Sequence, residues 1–443
     1  MAFCDEVHIL LPILHIPALR ARYTVVQELL AAAGPTSASY NSNDQQQKDL
    51  IAQVLICLAL GKYAECLQVE GVKRVCAPGW NFYSAATSVL GDLLHPCSSD
   101  PILRLQTLTL MIGYLYGLGA LVKAGKLLAL ATRELYCHGF NRVSVLDALP
   151  VFKDEMVRRL WWGVYIVDTQ IAVDGGYPTV VNENNADIGL PRALSEDWMS
   201  SHEQDTRTAQ SLDLEIEGEV KANSSAHVRF LCAMVRYTGA LRTVWRAIYR
   251  ARMLHEQHGP TVTEYLEDLI LVTQRGLDAE YAFPPIQPPD SPATHEQLSL
   301  MKQKMLLHVV SPLQLPSMGA WLMITLKLLS VRLLISTSMP SGEAAHQTHV
   351  SHAAERTLAC FHLAYAIIKI LTPLITERAA LRYMFIPSLV WAVRLSLEMI
   401  SDHVHLQKLY GDSLILAVKT LRRCSRRSWL PKKVAEDVMK SCR

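Results

Sequence analysis

Residues able to do chemistry are present, but their spacing is poor for it. His255-Glu256-Gln257-His258 sets two imidazoles three positions apart around a glutamate, whereas a zincin helix needs its histidines four apart on one face. The stretch reads as a solvated helix end. His346, His349 and His352 recur every third residue in a polar segment entering a helix. Three imidazoles suffice for a transition metal, but in a polar segment of this kind they read as solvated side chains and are not assigned as ligands. Gly61-Lys62 runs on to Tyr63 and Gly125-Lys126 to Leu127, so neither is a phosphate loop, and G-x-S-x-G, the Rossmann glycines and H-E-x-x-H are all missing. Aspartate-rich helices of the terpene-synthase kind are missing too. No catalytic residue and no metal ligand is assigned, and the chain is expected not to be an enzyme.

The ten cysteines (Cys4, Cys57, Cys66, Cys76, Cys97, Cys137, Cys232, Cys360, Cys424 and Cys442) form no C-x-x-C pair. They read as scattered core thiols of a reducing, intracellular compartment. Asp5 and Glu6 stand where a secretory signal needs basic residues, and Pro12 and His15 interrupt the apolar run that follows. Of 443 residues, 50% are hydrophobic and 19% charged, which supplies a large core and excludes a mainly disordered chain. Lys+Arg at 43 against Asp+Glu at 41 gives a net charge of +2, no molecule-wide field for a phosphate backbone.

Helical periodicity positions nearly everything. Residues 50–69, 103–138, 154–172, 226–258, 261–281, 297–309, 320–336, 351–371, 383–400 and 413–424 repeat apolar side chains every three or four positions. Leu105–Val122 is uncharged for 18 residues, the lower limit of a membrane span. Its polar start and the break at Gly117 and Gly119 favour two buried helices instead. Polar or Pro-rich breaks fall at 34–47, 182–225, 282–296 and 336–349. The second of these is acidic and precedes a helix bearing Arg229, Arg236, Arg242, Arg246, Arg250 and Arg252, so the two are expected to dock. Asp154 with Arg158 and Glu155 with Arg159 are i,i+4 pairs, local support of about 0.3 kcal/mol each on an exposed face.

One helix carries a denser signal. Leu160, Val164, Val167 and Ile171 make an apolar stripe, Trp161 and Trp162 cover two faces, and Gly175-Gly176 with Pro178 turns the chain sharply. Asp168 lies on this mostly apolar helix and, if buried, needs an arginine or a backbone N–H as donor. These residues read as architecture, since none is a nucleophile, a partnered base or a phosphate cradle.

The stretch Glu155–Pro191 resembles the signature of the fungal-specific transcription factor domain, the middle homology region of zinc binuclear cluster regulators. Its anchors are Arg158, Arg159, Trp161, Trp162, Tyr165, Asp168, Gly176, Pro178, Asp187, Ile188, Leu190 and Pro191. Ala124–Arg142 is similar to the family's helix and glycine-hydrophobic-His-Arg turn. Val7–Pro17 is similar to its first helix and P-I-L-H-x-P element. Tyr177 stands where the family commonly has arginine, which removes a salt bridge expected there.

The resemblance implies an all-α fold, a large multi-helix regulatory domain of stacked antiparallel helix pairs. Its motif-bearing part is 1–200, followed by an acidic loop at 201–225 and a C-terminal helical part at 226–443 with a basic tail. It further implies nuclear location, partners in the transcription machinery, homodimers or heterodimers with zinc-cluster factors, a small-molecule effector, and control of a metabolic or secondary-metabolite gene set. The family's six-cysteine zinc cluster is absent from these residues, so no cofactor and no direct DNA binding is expected of this chain, and no membrane. Zinc is expected only with a cluster lying upstream. Lys419, Arg422, Arg423, Arg426, Arg427, Lys432 and Lys433 form either a nuclear-import patch or the solvated end of the last helix. Two other functions stay open: a standalone co-regulator that modulates a full-length zinc-cluster factor, and a helical enzyme with an unrecognised site. An apolar cavity without titratable pairs favours the regulator, and convergent acids or histidines favour the enzyme.

Overall fold

A computed structural model describes residues 2–8, 10–33, 45–66, 77–93, 100–254, 260–276 and 404–425, and ten positions between 364 and 397. The chain is all-α. Among the described residues the one strand-like pairing is an isolated bridge between Pro150 and Thr208. The helices are α1 (Ile16–Ala33), α2 (Gln45–Cys66), α3 (Trp80–Leu90), α4 (Pro101–Gly117), α5 (Leu121–Cys137), α6 (Val143–Leu146), α7 (Val151–Gly175), α8 (Glu196–Ser201), α9 (Asp213–Ala222), α10 (Ala226–Leu254), α11 (Pro260–Arg275) and α12 (Val404–Ser425). Two compact units comprise residues 1–66 with 73–235, and 67–72 with 236–443.

In the first unit α4 is central and packs on α2, α5 and α7. Asp100 caps it, accepting from the Leu103 N–H, and Pro101 occupies its first position. Apolar side chains surround it, so its polar residues must find partners inside. Thr107 and Thr109 donate to the carbonyls of Leu103 and Leu105, and Arg104 donates to the Leu93 carbonyl at 2.9 Å. The expected break falls where α4 ends at Gly117, with Gly119 at φ +73°. Three residues therefore reverse the chain into α5, which makes α4 and α5 an antiparallel pair. Among the described residues no helix is long and apolar enough to cross a membrane.

The 201–225 stretch, expected as an acidic loop, carries a 3-10 turn at Ala209–Leu212 and then α9. Acidic side chains suit helix N-termini, as Asp213 and Glu215 do in the first turn of α9. Leu212 and Ile216 then enter a core cluster with Val151, Met156, Leu194 and Met199. The expected docking on the arginines of α10 is corrected for four of these acids. Glu196 pairs with Arg159 of α7, Asp205 and Glu215 with Arg207, and Glu217 with Lys221. In the second unit, Arg236 on α10 donates to the Gly276 carbonyl just beyond α11 at 3.1 Å.

Candidate functional site

Helix α7 gathers the signature residues. Trp161 is 1% exposed and meets Tyr136 of α5 edge-on at 5.6 Å. Trp162, half-buried, meets Tyr165 edge-on at 5.2 Å and donates from Nε1 to the Gly189 carbonyl at 2.9 Å. Between these tryptophans and Tyr165 lies Gly163, a position the motif reading passed over. A Cβ there would sit 2.7 Å from the Ile13 side chain and 3.2 Å from that of Leu11. Glycine at 163 lets the Leu11–His15 strap lie directly on α7.

The i,i+4 pairs of α7 are not surface pairs. Asp154, Glu155 and Arg159 are fully buried and Arg158 nearly so. Arg158 Nε donates to Asp154 at 2.7 Å, and Arg192 Nη1 reaches the other Asp154 oxygen at 2.6 Å. Arg159 Nε donates to Glu155 at 3.0 Å and Nη1 to Glu196 at 3.2 Å, while the Arg192 backbone N–H donates to the second Glu155 oxygen at 3.0 Å. Three of these four charges, Asp154, Glu155 and Arg159, thus meet two residues 37 or 38 positions later. Burial raises the Glu155 carboxyl above its usual range, opposed by Arg159 and the Arg192 N–H.

The loop after α7 is held by single atoms. Gly176, at φ +71°, ends the helix in the left-handed conformation, and the Tyr177 N–H returns to the Ala172 carbonyl at 2.8 Å. The Tyr177 ring lies against the space above Gly175 that a Cβ would fill, so the residue in place of the family's arginine packs by shape. Pro178 is exposed beyond it. Asp168, 1% exposed, accepts from the Val180 N–H at 2.9 Å and the Val181 N–H at 3.0 Å, one on each carboxylate oxygen. The backbone donor expected for it is therefore present. Asp187 accepts from the Val143 N–H at 2.6 Å, capping α6 from outside the helix. Ile188 and Pro191 are buried and Leu190 is exposed.

Histidines complete the strap. His15 Nε2 lies 3.2 Å from the Glu196 carbonyl, 181 residues away. His8 donates from Nε2 to the Leu14 carbonyl at 2.9 Å, and burial lowers its pKa to about 4. His227 of α10 faces it edge-on at 6.4 Å and is lowered too, chiefly by burial. His8 and His15 lie in the Val7–Pro17 element that the resemblance marked, but sequence reasoning singled out neither Arg192 nor His227, nor Glu196 as the partner of Arg159. The available signal was the pairing of acids and arginines on a helix that must be buried along a wide face.

Two cavities open in the first unit. One of about 210 Å³ lies among the N-terminal turn, α1, α2 and α3, lined by Phe3, Leu19, Tyr23, Val54, Cys57 and Phe82 among others. Its lining is mainly apolar, and burial pushes the Cys57 thiol well up. The second, about 60 Å³, is polar and lies between α1, α4 and the start of α7. Among the described residues no three His, Cys, Asp or Glu are placed to hold a metal. His255, His258, His346, His349 and His352 lie outside the described residues, as do Arg426, Arg427, Lys432 and Lys433 of the basic tail. Lys419 is exposed on α12, which continues past Arg422 and Arg423.

Residues 1–271 match a family model described as the fungal specific transcription factor domain, farther than the 1–200 expected from motifs. Transcription factor asqA of Emericella nidulans is 31% identical over 118 residues, 27% of this chain and 20% of that protein. An uncharacterized transcriptional regulatory protein of Schizosaccharomyces pombe is 21% identical over 155 residues, 35% of this chain and 19% of that protein. The chain spans about a fifth of the length of the curated relatives it matches. No solved structure matches.

Proposed function

The chain belongs to the fungal-specific transcription factor domain family, a family of transcription regulators, and from that premise we propose that it regulates a metabolic or secondary-metabolite gene set in the nucleus, through protein and effector contacts and without catalysis. The match over 1–271 carries this reading. The signature supports it by acting as a lock: α7 holds the 176–196 loop through Asp168, Asp154, Glu155 and Arg159, and holds the strap through Gly163. The mainly apolar cavity beside α1 supports an effector over a substrate: among the described residues its titratable lining is Tyr23, Cys57 and Lys62, with no carboxylate or histidine beside them.

The test is a fungal reporter with the whole chain tethered to an unrelated DNA-binding module. Output is expected to differ from that of the module alone, and to change with growth conditions. Output equal to the module alone under all conditions overturns the reading. In the same strains, replacing Lys419, Arg422, Arg423, Arg426, Arg427, Lys432 and Lys433 by glutamine is expected to abolish nuclear accumulation of a fluorescent fusion. Unchanged accumulation assigns the basic tail to solvent. The isolated chain is expected to give no sequence-specific footprint on duplex DNA at physiological salt, given a net charge of +2.

A further inference from the structure

The smaller cavity is built for more than shape. It is lined by His15 of the strap, Arg22 of α1, the cap Asp100 and Gln106 of α4, and Phe152 and Lys153 in the first turn of α7, with aliphatic side chains between them. His15 is 3% exposed, and its Nδ1 has no hydrogen-bond partner. The Nε2 atom meets the Glu196 carbonyl at 3.2 Å and the Ser200 hydroxyl at 3.1 Å; that hydroxyl donates to the same carbonyl, so both partners accept from Nε2–H, and Nδ1 is left as an acceptor inside the protein.

Arg22 donates from Nη1 to Gln53, its one hydrogen bond among the described residues, which leaves Nε and Nη2 as donors. Gln53 donates to Gln106, which donates to the Ile13 carbonyl, so each amide oxygen and nitrogen already has one partner. Asp100 is engaged with the Leu103 N–H and adds one negative charge against the two cations. Burial lowers the Arg22 pKa, with Asp100 and then Glu203 opposing, yet a guanidinium stays charged and gains most from a directly hydrogen-bonded anionic partner where water is scarce. The lining therefore offers two cationic donor groups and one buried acceptor, and it lacks a partner that is anionic at one end and an O–H donor at the other.

We propose that this chamber binds the hydroxy-carboxylate head of a small-molecule effector, its carboxylate between Arg22 and Lys153 and its hydroxyl donating to Nδ1 of His15. A volume of about 60 Å³ is about four to five times the least that holds one water. That is room for a head group of four or five non-hydrogen atoms, with the remainder of a larger molecule passing the exposed Lys153 into solvent. The site joins the strap to α4 and α7, so occupancy tightens the elements that the signature holds. The proposal rests on the effector part of the reading above, and it places the polar head in this chamber and not in the larger apolar cavity beside α1.

Glycolate is the probe, titrated calorimetrically into the full chain at constant ionic strength, with acetate and hydrogen phosphate as separate arms. Glycolate is expected to bind at millimolar concentrations and to raise the melting temperature. Acetate, which lacks the hydroxyl, is expected to bind roughly tenfold more weakly. Lys153→Gln, on an exposed side chain whose loss leaves the fold intact, and Arg22→Gln are each expected to weaken glycolate by a similar factor. No heat with glycolate, equal affinity for acetate, undiminished affinity in Lys153→Gln, or tighter binding of phosphate overturns the assignment. Because binding is measured directly, failure here leaves the tethered-reporter result standing.

Discussion

Asp168→Asn isolates the lock, because it preserves volume and removes one acceptor. The wild-type carboxylate takes the Val180 and Val181 N–H groups on separate oxygens at 2.9 and 3.0 Å in a site 1% exposed. An asparagine keeps one oxygen and turns an NH2 toward the other donor. One charged hydrogen bond is lost and one buried N–H is orphaned, a cost of about 2–4 kcal/mol. For a unit of this size each kcal/mol moves the melting temperature by about 2–4 °C, so the transition of the first unit is expected to fall by roughly 5–15 °C. Scanning calorimetry of the full chain measures it, with the second unit's transition as an internal control. Amide exchange adds local resolution, since protection at Val180 and Val181 should drop before that of α4. An unchanged melting temperature with unchanged protection at both amides would refute the lock.

Trp161→Ala is expected to cost about 3–5 kcal/mol and Trp162→Ala less, because only the first is fully buried; equal losses in thermal unfolding would contradict the burial argument. Trp161→Phe should cost less than truncation to alanine, as Nε1 has no hydrogen-bond partner to lose. Arg159→Met strands Glu155 and Glu196 and is expected to cost about 3–5 kcal/mol, while adding Glu155→Gln should recover part of that; strict additivity in denaturant melts would count against a shared network. Stability is expected to fall on acidification. His8 is held neutral in the fold down to about pH 4 but protonates near its ordinary 6.5 when unfolded. The unfolded chain thus takes up more protons between those values, and about 3 kcal/mol is lost as pH drops from 7 to 4. His227 acts in the same direction, and Glu155, raised by burial, opposes it just above its ordinary value. Replacing His8 by glutamine should flatten this slope in melts at graded pH.

Periodicity made α4, α5 and α7 legible, and the glycines at 117 and 119 placed the turn between the first two. Asp168 announced its need for a donor because a carboxylate on an apolar helix has few other options. The burial of Asp154 and Glu155 was not legible, since charge pairs four apart are the usual dress of an exposed face. What brings them inside is Arg192 and Glu196, which carry no periodic relation to α7. The acidic stretch misled in the same way: its charges suggested a loop, yet Leu212 and Ile216 bury one side of it. Helix α3 passed unremarked, because the aromatic start and small-residue middle of Trp80–Leu90 give a weak three-four pattern.

The contact between His15 and Glu196 spans 181 residues, and that separation has a consequence during synthesis. The strap leaves the ribosome before α7 and α8 do, so neither Gly163 nor Glu196 yet exists for it to settle on. At about 5–20 residues per second it waits roughly 10–40 s, with Leu11, Ile13 and Leu14 open to water and to chaperones. The signature helix is therefore the event that ends this exposure. Ribosome-bound chains stalled before residue 160 should offer the strap to protease, and chains stalled well past residue 200 should not.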